Sequence, residues 1–250
     1  MKVSIITVVY NSASTIEKTI QSVLQQSYKN IEYIIIDAKS TDGTLEIIKK
    51  YEPKIQVVLS EPDSGFYEGL NKGIKLASGD IIGCLNGDDR FVDSTIIDKI
   101  VFKFNSNKNL DSIIGDIAFA DETNKISRYY SGSKFNISLF KWGVMPPHPS
   151  FYCKKEVFNK YGLYNATFKI AGDFELMLRF FWKNKVSFNY LPLLMVYMQK
   201  GGKSTSSILT NFFIINPEVL KACKINGLKT NIIGISMKYF LKLNQFFTTK

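Results

Sequence analysis

Four short apolar runs, each followed by an amphipathic stretch, limit what this chain can fold into. Val3 to Val9, Ile31 to Ile36, Ile55 to Leu59 and Ile81 to Leu85 are five to seven residues long and rich in Ile and Val. Runs of this length and composition read as strands buried on both faces. Helical stretches lie between them. Ser14 has the capping-box spacing to Glu17, and Ile16, Ile20, Val23 and Leu24 share one face. Thr44 to Lys50 reads as a short helix after the turn Ser40-Thr41-Asp42-Gly43. Phe66 to Ala77 reads as a third helix, closed near Gly79. Strands alternating with helices predict βαβ units and a parallel sheet, hence an α/β fold.

The fourth run ends in Asn86-Gly87-Asp88-Asp89. A buried strand that stops here delivers two carboxylates to its C-terminal rim, where open α/β sheets bind ligands. Adjacent hard oxygen donors suit Mg²⁺ or Mn²⁺ carrying a diphosphate. The plainer alternative is a polar turn, since Asn, Gly and Asp are turn formers. Tyr10-Asn11 and Asp37 end the first and second runs on the same rim. No G-x-G-x-x-G follows the first run, and no Walker A sequence occurs. Dinucleotide-dependent redox chemistry and P-loop chemistry are therefore disfavoured.

The second half is less regular. Ser94 to Phe104, Glu156 to Tyr161 and Asp173 to Lys183 read as helices. Ser112 to Phe119, Lys125 to Tyr130 and Leu191 to Tyr197 read as strands, and Trp142 to Phe151 as a Pro-rich loop. At 250 residues the chain has room for one large domain and a C-terminal appendage. Its net charge of +10 points to an anionic partner: a nucleoside diphosphate, a nucleic acid or an anionic membrane surface. Cys84, Cys153 and Cys223 show no paired spacing, which argues against disulfides and zinc and for a reducing compartment. The N-terminal apolar run is too short for a signal peptide, and nothing approaches the ~20 apolar residues of a spanning helix. The expected location is cytoplasmic, with a peripheral place on the inner face of the membrane as an extension of that reading.

An ordered set of segments carries a resemblance. It begins with Ser4-Ile5-Ile6-Thr7-Val8-Val9-Tyr10-Asn11 and Ile36-Asp37-Ala38-Lys39-Ser40-Thr41-Asp42-Gly43-Thr44. It continues with Ser60-Glu61-Pro62-Asp63-Ser64-Gly65-Phe66-Tyr67, Asn71-Lys72-Gly73-Ile74, and Ser78-Gly79-Asp80 leading into Asp88-Asp89. In this the chain resembles an inverting family 2 glycosyltransferase of the GT-A fold over residues 1 to 205, most of all the branch that builds bacterial surface polysaccharides. The resemblance implies a mostly parallel Rossmann-like sheet flanked by helices. Residues 1–90 would bind the nucleotide sugar, 91–205 would carry the acceptor side and the base, and 206–250 would form a basic amphipathic helical extension.

The resemblance also implies roles. Thr7, Val8 and Tyr10 contact the nucleoside, and Asp37 lies near the base or ribose. Asp63 and Asn71 border the pyrophosphate or donor sugar. Asn86, Gly87 and Asp88 fill the family's D-x-D slot, with Asp88 on a divalent metal, Mn²⁺ or Mg²⁺, and Asp89 as a second choice. Asp173, in Ala171-Gly172-Asp173-Phe174, matches the segment that carries the catalytic base; a helix cap is its structural alternative. His148, the single histidine, is a further candidate for metal, phosphate or acceptor. Three positions depart from the family: Ala38 stands where many relatives have a second aspartate that reads uracil, and Asn86 replaces the first D-x-D acid. Gly172 replaces a frequent Glu.

The implied reaction moves a sugar from a nucleoside-diphosphate sugar, a UDP-sugar in first place, to a hydroxyl of a glycan or lipid-diphosphate-linked acceptor in polysaccharide, O-antigen or capsule synthesis. The basic Lys200 to Ser204 loop is expected to close over the diphosphate. After Glu218 the chain has six lysines, no acid and many apolar residues. Such a segment either lies on an anionic membrane or packs its apolar side on the domain. All the motifs precede Ser207, so a chain ending there is expected to remain soluble and bind nucleotide. The competing readings are a sugar nucleotidyltransferase and a basic nucleic-acid-binding module. The second lacks any helix-turn-helix, RNP or zinc signature.

Overall fold

The computed structural model describes residues 1–199 and 211–239; the Lys200 to Ser204 loop and everything from Phe240 onward lie outside the described residues. The first half is built from β1 (Val3–Val9), α1 (Ile16–Leu24), β2 (Ile31–Asp37), α2 (Thr44–Tyr51), β3 (Val57–Ser60), α3 (Phe66–Leu76) and β4 (Ile81–Cys84). β5 (Arg90–Phe91), α4 (Ile96–Ser106), β6 (Ser112–Ala120), β7 (Ile126–Tyr130), β8 (Tyr152–Lys154), α5 (Lys155–Tyr161), α6 (Gly172–Met177) and β9 (Phe188–Met198) follow. After the undescribed stretch come α7 (Asn216–Ile225) and α8 (Ile232–Ser236).

One sheet holds these strands in the order β3-β2-β1-β4-β8-β6-β9-β5, with β7 on β6. β3, β2, β1 and β4 run parallel, with Val3 level with both Ile31 and Ile81. The chain steps outward from β1 to β3, then returns to the other side of β1 as β4. That reversal opens a crevice at the C-terminal ends of β1 and β4. Beyond it the sheet is mixed: β8 is antiparallel to β4 and β6, while β9 runs parallel to β6.

Side-chain alternation along β1 divides the core. Val3, Ile5 and Val9 face α1 and α4 through Ile16, Ile20, Ile97 and Ile100. Ile6 and Val8 face α3 through Leu70 and Ile74. That second cluster also takes in Val219, Ala222, Cys223, Leu228 and Ile235. The helices α7 and α8 therefore pack on the domain, and their apolar side is part of its core. Ile232, Ile233 and Met237 remain exposed. No helix of the described residues is long and apolar enough to cross a membrane.

Specific contacts override the local sequence pattern at three places. The capping box does not form. Thr15 is the N-cap of α1 without a side-chain cap, its hydroxyl donates to the Gly87 carbonyl at 2.8 Å, and Glu17 accepts from the Tyr51 hydroxyl. β3 starts at Val57 rather than Ile55, because Pro53 sits in a 3₁₀ turn, Glu52–Lys54, and the Ile55 N–H bonds back to Glu52. The helix from Asp173 to Lys183 starts at Gly172 and continues past Met177 as a π-helical stretch, Leu178–Lys183.

At the opposite, N-terminal end of the strands, Glu32 is 6 % exposed and accepts from Lys2 Nζ, Ser4 Oγ, Ser78 Oγ and the Ser78 N–H. Burial raises its pKa, but these bonds outweigh burial and hold it down at about 2. The folded value lies below the unfolded one, so this stabilisation is present above pH ~4.5 and is lost as pH falls toward 2. Glu32→Gln is expected to destabilise the fold by about 1–3 kcal/mol at pH 7, as for a broken buried charged bond. The gap from wild type in thermal melts should close between pH 4.5 and 2; a gap independent of pH would contradict this account.

Candidate active site

An open cleft of about 660 Å³ lies at the C-terminal ends of the parallel strands. Val8, Val9 and Tyr10 come from the end of β1, and Ala38 from the loop after β2. Asp63 to Tyr67 follow β3, and Asn86, Gly87 and Asp88 follow β4. The opposite wall comes from the second half: Phe119, His148, Pro149, Lys169, Ile170, Asp173, Met198 and Gln199. Of the residues assigned from sequence, the cleft therefore brings together Val8, Tyr10, Asp63, Asn86, Gly87, Asp88, His148 and Asp173. Tyr10 is 56 % exposed, which leaves its ring free to meet a planar base.

Thr7, Asp37, Asn71 and Asp89 do not line it. Thr7 shares the α1 side of β1 with Val9, is fully buried, and its hydroxyl bonds Tyr33 at 3.2 Å. Asp37 is fully buried as well. Its carboxylate accepts from the Ser40 N–H, the Ser40 hydroxyl and the Ser60 hydroxyl, so it shapes the β2–α2 loop. That loop is pinned to the β1–α1 loop: Asn11 N–H donates to Ser40 Oγ, and Thr41 N–H donates to Asn11 Oδ1, both at 2.9 Å. Asn11 and Lys39 take left-handed backbone at φ 47° and 59°, the kind of local strain that collects at functional rims. Asn71 uses its whole amide on the backbone of Tyr164, donating to its carbonyl at 2.8 Å and accepting from its N–H at 2.9 Å.

The turn after β4 separates its two acids. Asp88 is half-buried in the cleft, and burial raises its pKa. Asp89 is 1 % exposed and points inward. Its Oδ2 accepts from Asn86 Nδ2 at 2.8 Å, and its Oδ1 has no hydrogen-bond partner. Burial, and then the neighbouring Asp88 charge, push the Asp89 carboxyl well above the usual range. Asn86 thus holds Asp89 and brings no charge of its own to the turn. Gly87 passes so close to β1 that a Cβ would lie 2.9 Å from Val9 Cγ2.

Asp173 sits in the first turn of α6, half-buried. The N-cap is Ala171, so Asp173 does not cap the helix; its Oδ1 accepts from the Phe174 N–H at 2.8 Å and lies 3.3 Å from the Tyr67 hydroxyl. Burial raises the Asp173 pKa; the nearby His148 opposes this in part. Tyr67 explains Gly172, because a Cβ there would lie 2.7 Å from the Tyr67 ring. His148 is buried, its Nε2 meets the Tyr164 hydroxyl at 2.7 Å, and burial lowers its pKa, so it is neutral near pH 7. With Nε2 engaged by Tyr164, a role for His148 toward metal, phosphate or acceptor would fall to Nδ1. Tyr67 and Tyr164 stack at 5.7 Å. Sequence reading missed Tyr67, Tyr164 and Lys169, which carry no local signal beyond being aromatic or basic in otherwise matched or irregular text.

Comparison with known proteins agrees with this architecture. The sequence profile of glycosyl transferase family 2 matches residues 4–168. An uncharacterized glycosyltransferase of Mycobacterium tuberculosis is 31 % identical over 179 residues, covering 71 % of this chain and 68 % of the relative. A PGL/p-HBAD biosynthesis glycosyltransferase of Mycobacterium bovis is 23 % identical over 215 residues, covering 84 % of this chain and 81 % of the relative. In fold, the chain superposes on S. aureus TarS 1-349 in complex with UDP-GlcNAc at TM-score 0.68 and 18 % identity, covering 100 % of this chain and 74 % of that one. It spans 44 % of the longer TarS chain. The mannosyltransferase PcManGT from Pyrobaculum calidifontis, in complex with GDP-Man and Mn²⁺, gives TM-score 0.67 at 15 % identity, covering 94 % of this chain and 69 % of the other. The profile covers well over half of the sequence, and the GT-A-like sheet and rim cleft accord with it: the chain belongs to glycosyl transferase family 2.

Proposed function

We propose that this glycosyltransferase moves a sugar, with inversion, from a nucleoside-diphosphate sugar to a hydroxyl of a glycan or lipid-diphosphate-linked acceptor in bacterial surface-polysaccharide synthesis. The observation that carries the reading is that Asp88 and Asp173 line one rim cleft whose lining holds three aspartates and, among the described residues, Lys169 as its one lysine or arginine. Such a lining repels a bare diphosphate, so an anionic donor calls for added positive charge. UDP is the first choice of nucleotide, because TarS, which shares this fold, is found in complex with UDP-GlcNAc. The nucleotidyltransferase and nucleic-acid readings fall away with family membership.

The donor set fits a hard divalent ion. No group of three His, Cys, Asp or Glu side chains among the described residues forms a cage. Mg²⁺ and Mn²⁺ sites of this kind take one or two carboxylates and complete themselves with water and substrate phosphates. Asp88 would hold the ion, and PcManGT binds Mn²⁺ together with its donor. When bound, the ion offsets the charge that develops on the leaving diphosphate. Tyr10 covers the base, and the Asp63 to Tyr67 loop borders the donor. Asp173 takes the proton of the acceptor hydroxyl as its oxygen attacks the anomeric carbon. The bond to the diphosphate breaks on the opposite side and its electron pair leaves with the nucleoside diphosphate. Burial raises the Asp173 pKa toward the working pH, which strengthens it as a base. A peripheral contact with the anionic inner leaflet, through exposed Ile232, Ile233 and Met237 and the exposed Lys221, Lys224 and Lys229 of the same segment, fits a lipid-linked acceptor.

The test is a thermal-shift series with UDP-GlcNAc, UDP-glucose and GDP-mannose, each with Mn²⁺ or with excess EDTA. A donor at 100 times its Kd adds about 2.7 kcal/mol of stability. That shift should appear with Mn²⁺ and vanish both in EDTA and in Asp88→Asn, while the melting point without donor stays near wild type. A full shift in EDTA, or in Asp88→Asn, would remove the ion from the reading.

A further inference from the structure

The segment 162–171 links α5 to α6 and carries Lys169 and Ile170 into the cleft just ahead of Asp173. Its backbone is held from outside. Lys169 N–H donates to Glu218 Oε1 at 2.7 Å, and the N–H groups of Ile170 and Ala171 donate to Glu218 Oε2 at 2.9 and 2.8 Å. From the other side, the Tyr67 hydroxyl donates to the Ile170 carbonyl. The Ile170 peptide is thus gripped between α3 and α7, three residues before Asp173. Lys221 of α7 reaches the same stretch, its Nζ 4.8 Å over the Phe168 ring, and Asn226, the C-cap of α7, donates from Nδ2 to Glu175 Oε1 of α6 at 3.1 Å.

We infer that Glu218 is a positioning residue for Asp173, so that α7 belongs to the catalytic apparatus as well as to the core. The inference rests on Asp173 being the base. Three consecutive amides converging on one anion make a charge-assisted clamp of the kind carboxylates fit and neutral groups do not. α7 itself is anchored by Val219, Ala222 and Cys223, so its packing does not call for an acid at 218. Glutamine keeps one acceptor oxygen and turns an NH₂ toward a backbone donor, which breaks the clamp while keeping the size of the side chain.

Glu218→Gln, Val219→Ala, Asp173→Asn and the double variant Glu218→Gln/Asp173→Asn separate the possibilities. In hydrogen exchange, which needs no donor, the peptide spanning 165–175 should exchange about tenfold faster in Glu218→Gln while β1 and β2 keep their protection, because local opening is independent of global unfolding. In UDP release from UDP-GlcNAc with Mn²⁺, kcat should fall by about 10- to 100-fold at a KM within about threefold of wild type, the signature of a displaced catalytic group. Val219→Ala should lower the melting point at least as much with little change in kcat. In the Asp173→Asn background, Glu218→Gln should cost nothing more. Unchanged exchange, or loss of kcat that merely follows the melting point as in Val219→Ala, would overturn the inference. Full turnover in Asp173→Asn would overturn the base reading and the positioning role with it, and exchange would still report whether Glu218 holds the loop.

Discussion

Asp173→Asn is expected to bind donor as wild type does and to lower kcat by about 10²–10⁴, the usual worth of general base catalysis. Asparagine keeps the shape and the oxygen that accepts from the Phe174 N–H, so α6 stays formed. What it lacks is the capacity to take a proton. The wild-type pH profile provides an independent check. Burial raises the Asp173 pKa above its ordinary 3.8, and only the deprotonated form works as a base. Activity should therefore fall on the acid side around a midpoint above the ordinary aspartate value, and that limb should be missing from the residual rate of the variant. His148 opposes the rise in part, so replacing it by Phe should move the midpoint further up. Collapse of donor affinity in Asp173→Asn, with the rate at saturating donor preserved, would make Asp173 a binding group instead.

The first half of the fold was legible because parallel strands buried on both faces are apolar throughout, as β1 and β2 are. β5 and β8, two and three residues long, carry no periodicity and were not seen. Their absence hid the change from parallel to mixed pairing. Within the site, spacing located the strand ends but not the direction of individual side chains. Thr7 and Val8 are neighbours on one strand, and alternation sends one to Tyr33 and the other to the cleft. Asp37 and Asn71 carry the polar atoms expected of ligand contacts, yet both spend them on backbone and side chains that shape the rim. Asp88 and Asp89 are adjacent and alike in sequence; the Asn86 amide and the inward turn of Asp89 tell them apart. Tyr164 and Glu218 act on the site from 93 residues beyond Asn71 and 48 beyond Ile170, distances at which no local pattern exists.

Deleting residues 208–250 is expected to abolish folding, contrary to what the position of the motifs alone implies. The deletion strips Val219, Leu228 and Ile235 from the core. Each large aliphatic side chain contributes about 1.5–3 kcal/mol when fully buried. Together they approach the ~5–15 kcal/mol by which a whole domain is stable. The deletion also releases the 169–171 amides by removing Glu218. The truncated chain should be insoluble or lack a cooperative melt, where the full chain has one. A truncated chain that melts cooperatively and still gains stability from UDP-GlcNAc with Mn²⁺ would show that α7 and α8 are dispensable. Because truncation destroys the fold, it cannot test membrane contact, and a gentler change must. Ile233 is 75 % exposed and Ile232 40 %, so replacing both by Ser leaves the core intact and should keep the melting point. The full-length double variant should sediment less with phosphatidylglycerol vesicles than wild type does. Wild-type binding should itself weaken with salt, since lysines near an anionic surface contribute about 1 kcal/mol each and are screened over ~10 Å at 0.1 M. Equal sedimentation of the two proteins would move any lipid contact away from α8.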